Sequence, residues 1–163
     1  MHLPLICDRY ELRDDVMPGA GKFRGGQGVV KSQRFLTPGF VTHESDRHED
    51  APWGVFGGKS GAVGKYEIYN ARQPHDVKQY PAKFSGLRVN EGDVACYFSP
   101  SGGGYGNPLD RPAEQVLEDV LDDFITAEHA REAYGVVLKP ADNGFAWTLD
   151  ADATAAVRAS MGS

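Results

Sequence analysis

Cysteine is scarce in this chain. Only Cys7 and Cys96 are present, far apart and without histidines at ligand spacing, which excludes a structural zinc framework. Two ordinary thiols are expected, since a cytosolic setting disfavours a bridge between them. Long apolar runs are absent too: nothing approaches the ~18 residues of a membrane span. The opening Met1-His2-Leu3-Pro4-Leu5-Ile6 lacks the basic region and long apolar stretch of a signal peptide, so a cytoplasmic location is expected. Basic residues thin out along the chain. Residues 100–163 hold four Lys and Arg against eleven Asp and Glu, while residues 1–99 hold thirteen against twelve. With a net charge of −6 and no basic stripe, nucleic acid is not an expected partner. Glycine also runs out: seventeen of the 20 fall in residues 1–109 and three in residues 110–163. Their spacing has no period of three, which excludes collagen. The 25% charged and 40% apolar fractions are globular values and exclude wholesale disorder.

What is present divides by texture. Residues 6–13, 29–36, 40–42, 65–72 and 94–98 alternate or run apolar as strands do, and residues 80–89 carry Phe84, Leu87 and Val89. Between them lie PGAGKFRGGQG (18–28), the polar HESDRHEDA (43–51), PWGVFGGKSGAVG (52–64) and turns at Pro38-Gly39 and Glu91-Gly92-Asp93. After Gly106, residues 112–124 place Ala113, Val116, Leu117, Val120, Leu121 and Phe124 on one helical face. A second helix runs from Ala127 to Tyr134, with Thr126 as N-cap and Gly135 as C-terminal glycine. Residues 136–138 and 145–149 read as strands of a hairpin turning at Asp142-Asn143-Gly144, and residues 153–160 as a last helix capped by Asp152. The expected fold class is α+β. A glycine-rich, mainly β portion (1–109) precedes a helical and hairpin portion (110–163) packed on it, one domain overall.

No strong catalytic constellation exists in these residues, and no catalytic or metal-binding residue is expected. SGGGYGNP (101–108) resembles a phosphate loop, but no Gly-Lys-Ser/Thr follows and no βαβ unit surrounds it. Close backbone packing accounts for its glycines better. Lys22 and Arg24 stand among glycines, suited to an anion; equally, Arg24 could pair with a carboxylate of the fold or of a partner chain. Lys22, Arg24, Gly103 and Tyr105 are therefore the candidates for cofactor contact. His43, Asp46, His48, Glu49 and Asp50 hold ligand atoms at no defined metal spacing and read as an exposed loop. His75 and His129 read as surface residues, and Asp119, Asp122 and Asp123 as a solvated helix face.

Taken in order, RYELRDDVMPGAGKFRGGQGVV (9–30), DR…PWGVFGGKSGAVG (46–64), GDV (92–94), SPSGGGYGNPLDRPAEQVLEDVLDDFITAEHAREAYGVVL (99–138) and DADATAAVRA (150–159) resemble the C-terminal part of the hydantoinase B family. That family includes B-type subunits of ATP-dependent hydantoinases, the matching region of 5-oxoprolinase, and subunits of acetone and acetophenone carboxylases. The resemblance implies architecture: Arg24-Gly25-Gly26, Pro52-Trp53-Gly54, Gly57-Gly58 and Gly102 to Gly106 match as scaffold. Family B-type subunits are several times longer, with metal ligands upstream in carboxylase relatives and ATP handling mainly on the A-type partner. No cofactor is then expected in this chain, with ATP, bicarbonate and a divalent metal belonging to the whole complex. The implied role is a small subunit completing a hydantoinase-B-like subunit in an acetophenone- or acetone-carboxylase-type complex, beside larger A-like and B-like subunits and away from membranes. The alternatives are a subunit of an ATP-dependent hydantoinase or oxoprolinase, or an independent anion-binding module.

Overall fold

The computed structural model describes residues 4–141 and 146–162. Seven strands come first: β1 (Leu5–Leu12), β2 (Val29–Phe35), β3 (Gly39–Glu44), β4 (Lys65–Asn70), β5 (Gln73–Tyr80), β6 (Lys83–Val89) and β7 (Asp93–Phe98). A 3-10 turn (Pro108–Asp110) leads into α1 (Ala113–Leu121) and α2 (Ala127–Tyr134), then β8 (Leu138–Pro140), β9 (Trp147–Leu149) and α3 (Ala151–Met161). Strands followed by helices make this an α+β fold.

The contacts divide the chain into two compact units. The first holds the stretch through Arg13 together with Gly28–Ala51 and Val63–Pro100; the second holds Asp14–Gln27, Pro52–Ala62 and the chain from Ser101 onward. This differs from a cut between residues 109 and 110. The glycine loops belong with the helices, because Ala20 packs in the helical core and Arg24 pairs with Asp119.

In the first unit, five antiparallel strands lie in the order β1-β2-β7-β4-β5, and β3 pairs with β6. Alternation in β4 turns Tyr66 and Ile68 to one face, where they join Ala95, Tyr97, Phe35 and Tyr80. Val41, Phe84, Leu87 and Val89 of the β3–β6 ribbon complete this core. Edge strand β5, QPHDVKQY, is solvated along nearly all its length. It carries no alternating apolar signal and has near its start a proline that an edge tolerates, so sequence periodicity passes over it. Gly92 takes φ +83° in the tight β6–β7 turn, a left-handed conformation that glycine adopts without a steric penalty.

In the second unit, Val116 and Val120 of α1, Ile125, Ala130 and Tyr134 of α2, Val136 and Ala20 form the core. Helix α1 stops at Leu121, short of the expected Phe124. Asp123 takes φ +59°, and the N–H groups of Phe124 and Ile125 both turn back to the Asp119 carbonyl at 2.9 and 3.2 Å. Asp is among the few non-glycine residues that enter this region readily. Thr126 Oγ1 accepts the His129 N–H at 3.0 Å. Gly135 (φ +63°) closes α2, and the Val136 N–H reaches the Ala130 carbonyl at 3.0 Å. The last helix starts earlier than expected, and Asp150, rather than Asp152, caps it by accepting the Ala153 N–H at 3.1 Å. Strands β8 and β9 pair antiparallel. The turn expected at residues 142–144 lies outside the described residues.

Candidate functional site

The glycine loops of the second unit meet backbone to backbone. Phe23 and Tyr105 exchange N–H···O bonds of 3.0 and 2.9 Å. The Val55 N–H donates to the Gly104 carbonyl at 2.9 Å, and the Gly106 N–H returns to the Val55 carbonyl at 2.8 Å. The Lys59 N–H binds the Ala20 carbonyl at 2.7 Å, and the Gly104 N–H binds the Lys59 carbonyl at 2.9 Å. Such approach leaves no room for side chains: a Cβ on Gly103 would collide with the Trp53 carbonyl, and one on Gly58 with the Gly104 carbonyl. Fully buried Ser101 ties the loops further, its hydroxyl accepting the Ala62 N–H at 2.7 Å and donating to the Met17 carbonyl at 3.2 Å.

This arrangement bears on the phosphate-loop resemblance. The N–H groups of Gly102, Gly104, Tyr105 and Gly106 all donate to protein carbonyls. A phosphate cradle needs such donors turned outward together. These four donors are instead spent on pairing within the fold.

Beneath the loops lies an ion cluster. Asp119, 6% exposed, receives Arg24 Nε on Oδ1 at 3.1 Å, and Arg111 Nε and Nη2 on Oδ2 at 3.1 and 2.9 Å. The Arg24 guanidinium also lies 4.4 Å from the Phe124 ring centre, a cation–π contact. Arg111 Nη1 donates to the Lys22 carbonyl at 3.2 Å, and Arg158 Nη2 to the Arg111 carbonyl at 2.8 Å. Asp119 is thus a buried anchor and not part of a solvated face. Arg24 and Arg111 hold it there, reaching α1 from two separate segments of the chain. Of the two roles open to Arg24 in the sequence, the structure shows the pairing with a carboxylate of the fold.

Lys22, Gly103 and Tyr105 are brought into the same loop cluster. Lys22 is exposed, with its ammonium 6.0 Å from the Phe23 ring centre. The rings of Phe23 and Phe56 flank Tyr105 at 6.1 and 5.3 Å. Phe56 has φ +51°, a conformation that costs a non-glycine residue about 1–2 kcal/mol. The sequence motifs point to the loops. They carry no signal for Arg111 or Ser101, whose roles depend on which distant segments meet.

A second cluster forms in the first unit. His43 belongs to β3, not to an exposed loop, and its ring lies 4.1 Å from that of Tyr66. His43 Nε2 and His48 Nε2 each lie 2.9 Å from Ser45 Oγ, which also reaches the Ala82 carbonyl at 3.2 Å. Burial lowers the pKa of both histidines, and for His43 the neighbouring His48 adds to the effect. Burial also pushes Tyr66 up to about 12. His129, expected at the surface, is half-buried edge-on to Tyr134 at 6.0 Å, and its pKa is lowered by desolvation. Among the described residues no three His, Cys, Asp or Glu side chains converge as a metal site would need.

Three depressed histidines give stability a pH dependence. The unfolded chain takes up these protons near pH 6.5 and the folded chain only at lower pH, so acid favours unfolding. Tm is expected to be level above pH 7 and to fall between pH 6.5 and 5.5. The fall should be shallower in His48→Gln, as read by thermal scans in matched buffers. An equally steep fall in that variant would remove His48 from the account.

Comparison with known proteins identifies the family. The profile of the Hydantoinase B/oxoprolinase family matches residues 1–108, and the chain belongs to that family. A relative in Pseudomonas sp. (strain NS671), named as the B component of a D-/L-hydantoinase, is 44% identical over 84% of this chain and 23% of its own length. The beta chain of the Pseudomonas jessenii caprolactamase is 30% identical over 96% of this chain and 26% of its own. The crystal structure of the ATP-dependent caprolactamase from that organism superposes with a TM-score of 0.74 over 96% of this chain. The nucleotide-free acetone carboxylase structure gives 0.76 at 20% identity, a likeness of fold. The chain spans about a quarter of the length of these relatives. No helix among the described residues is long and apolar enough to cross a membrane.

Proposed function

We propose that this chain supplies the C-terminal quarter of a hydantoinase-B-type subunit and acts as a scaffold in an ATP-dependent complex with A-like and larger B-like components. One observation carries this reading: the chain aligns over most of its length with relatives about four times longer. The inward-directed loop N–H groups support a scaffolding role. For the chemistry of the complex, ATP-dependent opening of a cyclic amide takes precedence, because two of the more similar relatives are named for a hydantoinase and a caprolactamase. Ketone carboxylation of the acetone or acetophenone type, with bicarbonate as co-substrate, is the second reading. It rests on a weaker sequence likeness to the alpha subunit of an acetone carboxylase, 26% identical over 88% of this chain.

The test is affinity purification from the native host, followed by ADP-release assays. Hydantoinase-B-type and A-type sequences should be recovered in fixed ratio, whether on one polypeptide or several. ADP release should depend on a hydantoin, 5-oxoproline or a lactam. Release that requires a ketone and bicarbonate would transfer the proposal to carboxylation. A chain recovered without either sequence would overturn the scaffold role.

A further inference from the structure

The loop cluster leaves an aromatic surface uncovered. Phe56 is 77% exposed, Phe23 60% and Tyr105 50%, with Val55 on the same loop as Phe56 and bridged to Tyr105. These side chains stand on backbone that cannot shift, since glycine contacts and inter-loop hydrogen bonds fix it from below. Phe56 is held in a left-handed conformation with its ring largely exposed. Within the second unit, its ring gains an edge contact with Tyr105 but little burial in return for the strain. Backbone strain of this kind concentrates at functional positions, and rigid aromatics dominate protein interfaces because little entropy is lost when they bind.

The geometry points to Phe23, Val55, Phe56 and Tyr105 as the docking surface for the remaining three quarters of a hydantoinase-B-type chain. This inference rests on the proposed function, and the relatives' length supplies the occupant. About three quarters of their polypeptide lies outside the part this chain matches, and that mass must meet this quarter at some surface. Lys22 beside the Phe23 ring gives the surface a basic edge, so the occupant is an apolar pocket with a carboxylate at its rim.

The test places the photo-crosslinking residue p-benzoylphenylalanine at position 56 and, as a control, at Val77 of β5, in the purified native complex. A crosslink from position 56 to hydantoinase-B-type sequence outside the region matched by this chain supports the docking surface. A crosslink to a second copy of this chain, or none from an intact complex, overturns it while leaving the proposed function standing. Failure to recover any complex overturns both. Phe56→Gly separates docking from folding, because glycine accepts the backbone conformation. Tm of the free chain should hold or rise, and the affinity of the complex should fall about tenfold or more. Unchanged affinity would overturn the docking role of Phe56.

Discussion

Asp119→Ala is expected to destabilise the protein by about 3–5 kcal/mol, the range observed when one member of a buried ion cluster is removed. The variant leaves Arg24 and Arg111 facing each other, with side chains only 16% and 12% exposed and no carboxylate between them. Two like charges in a poorly solvated site lose their partner and gain mutual repulsion. Urea denaturation should show a lower midpoint, and Tm should fall by roughly 6–20 °C. A loss below about 1 kcal/mol would mean that water reaches the cluster and screens it as it does surface pairs. Asp122→Ala, at the exposed end of α1, is the matched control and should change little.

Gly103→Ala should have a comparable or larger effect. The added methyl would meet the Trp53 carbonyl, and because that oxygen is backbone, relief requires moving a loop. Overpacking typically costs about 1–3 kcal/mol and more where the surroundings cannot yield. Here the surroundings are three loops bonded to one another, so insoluble expression or a loss above about 3 kcal/mol is expected. Gly26→Ala gives the contrast. Nothing lies near its added Cβ, and its φ is not positive. That substitution should be neutral, or stabilising by about 0.4–1 kcal/mol through the unfolded chain. Equal losses in the two variants, measured by denaturant midpoint, would refute close packing as the reason for glycine at position 103.

The sequence shows those features of the fold that depend on local pattern. The β4 alternation, the α2 caps at Thr126 and Gly135, and the Gly92 turn can all be read from a few adjacent residues. Strand β5 cannot, because an exposed edge imposes no apolar period. Asp119 is misjudged for a related reason. On a helical wheel it stands beside Asp122 and Asp123 as one more acid, and its burial follows from arginines 95 residues before it and 8 residues before it in the chain. The same limit applies to the candidate site. The motifs place Lys22, Arg24, Gly103 and Tyr105 in loops of interest, yet they do not give the direction of the loop N–H groups. That direction is a property of pairing between distant segments.

The interleaving of the two units has a kinetic consequence. The chain passes from one unit to the other after Arg13, Gln27, Ala51, Ala62 and Pro100, so each unit is assembled from separated stretches. The loop cluster cannot close until residues 101–106 have left the ribosome, and each closure requires the ends of a long loop to meet. Folding of this region should therefore be slow, since its closing contacts are long-range. A nascent chain halted before Ser101 would display Gly19, Gly25 and Gly58 with none of their partners from 102–104. For proteolysis and for gene splitting alike, the indivisible object is the whole span from the first glycine loop to the third.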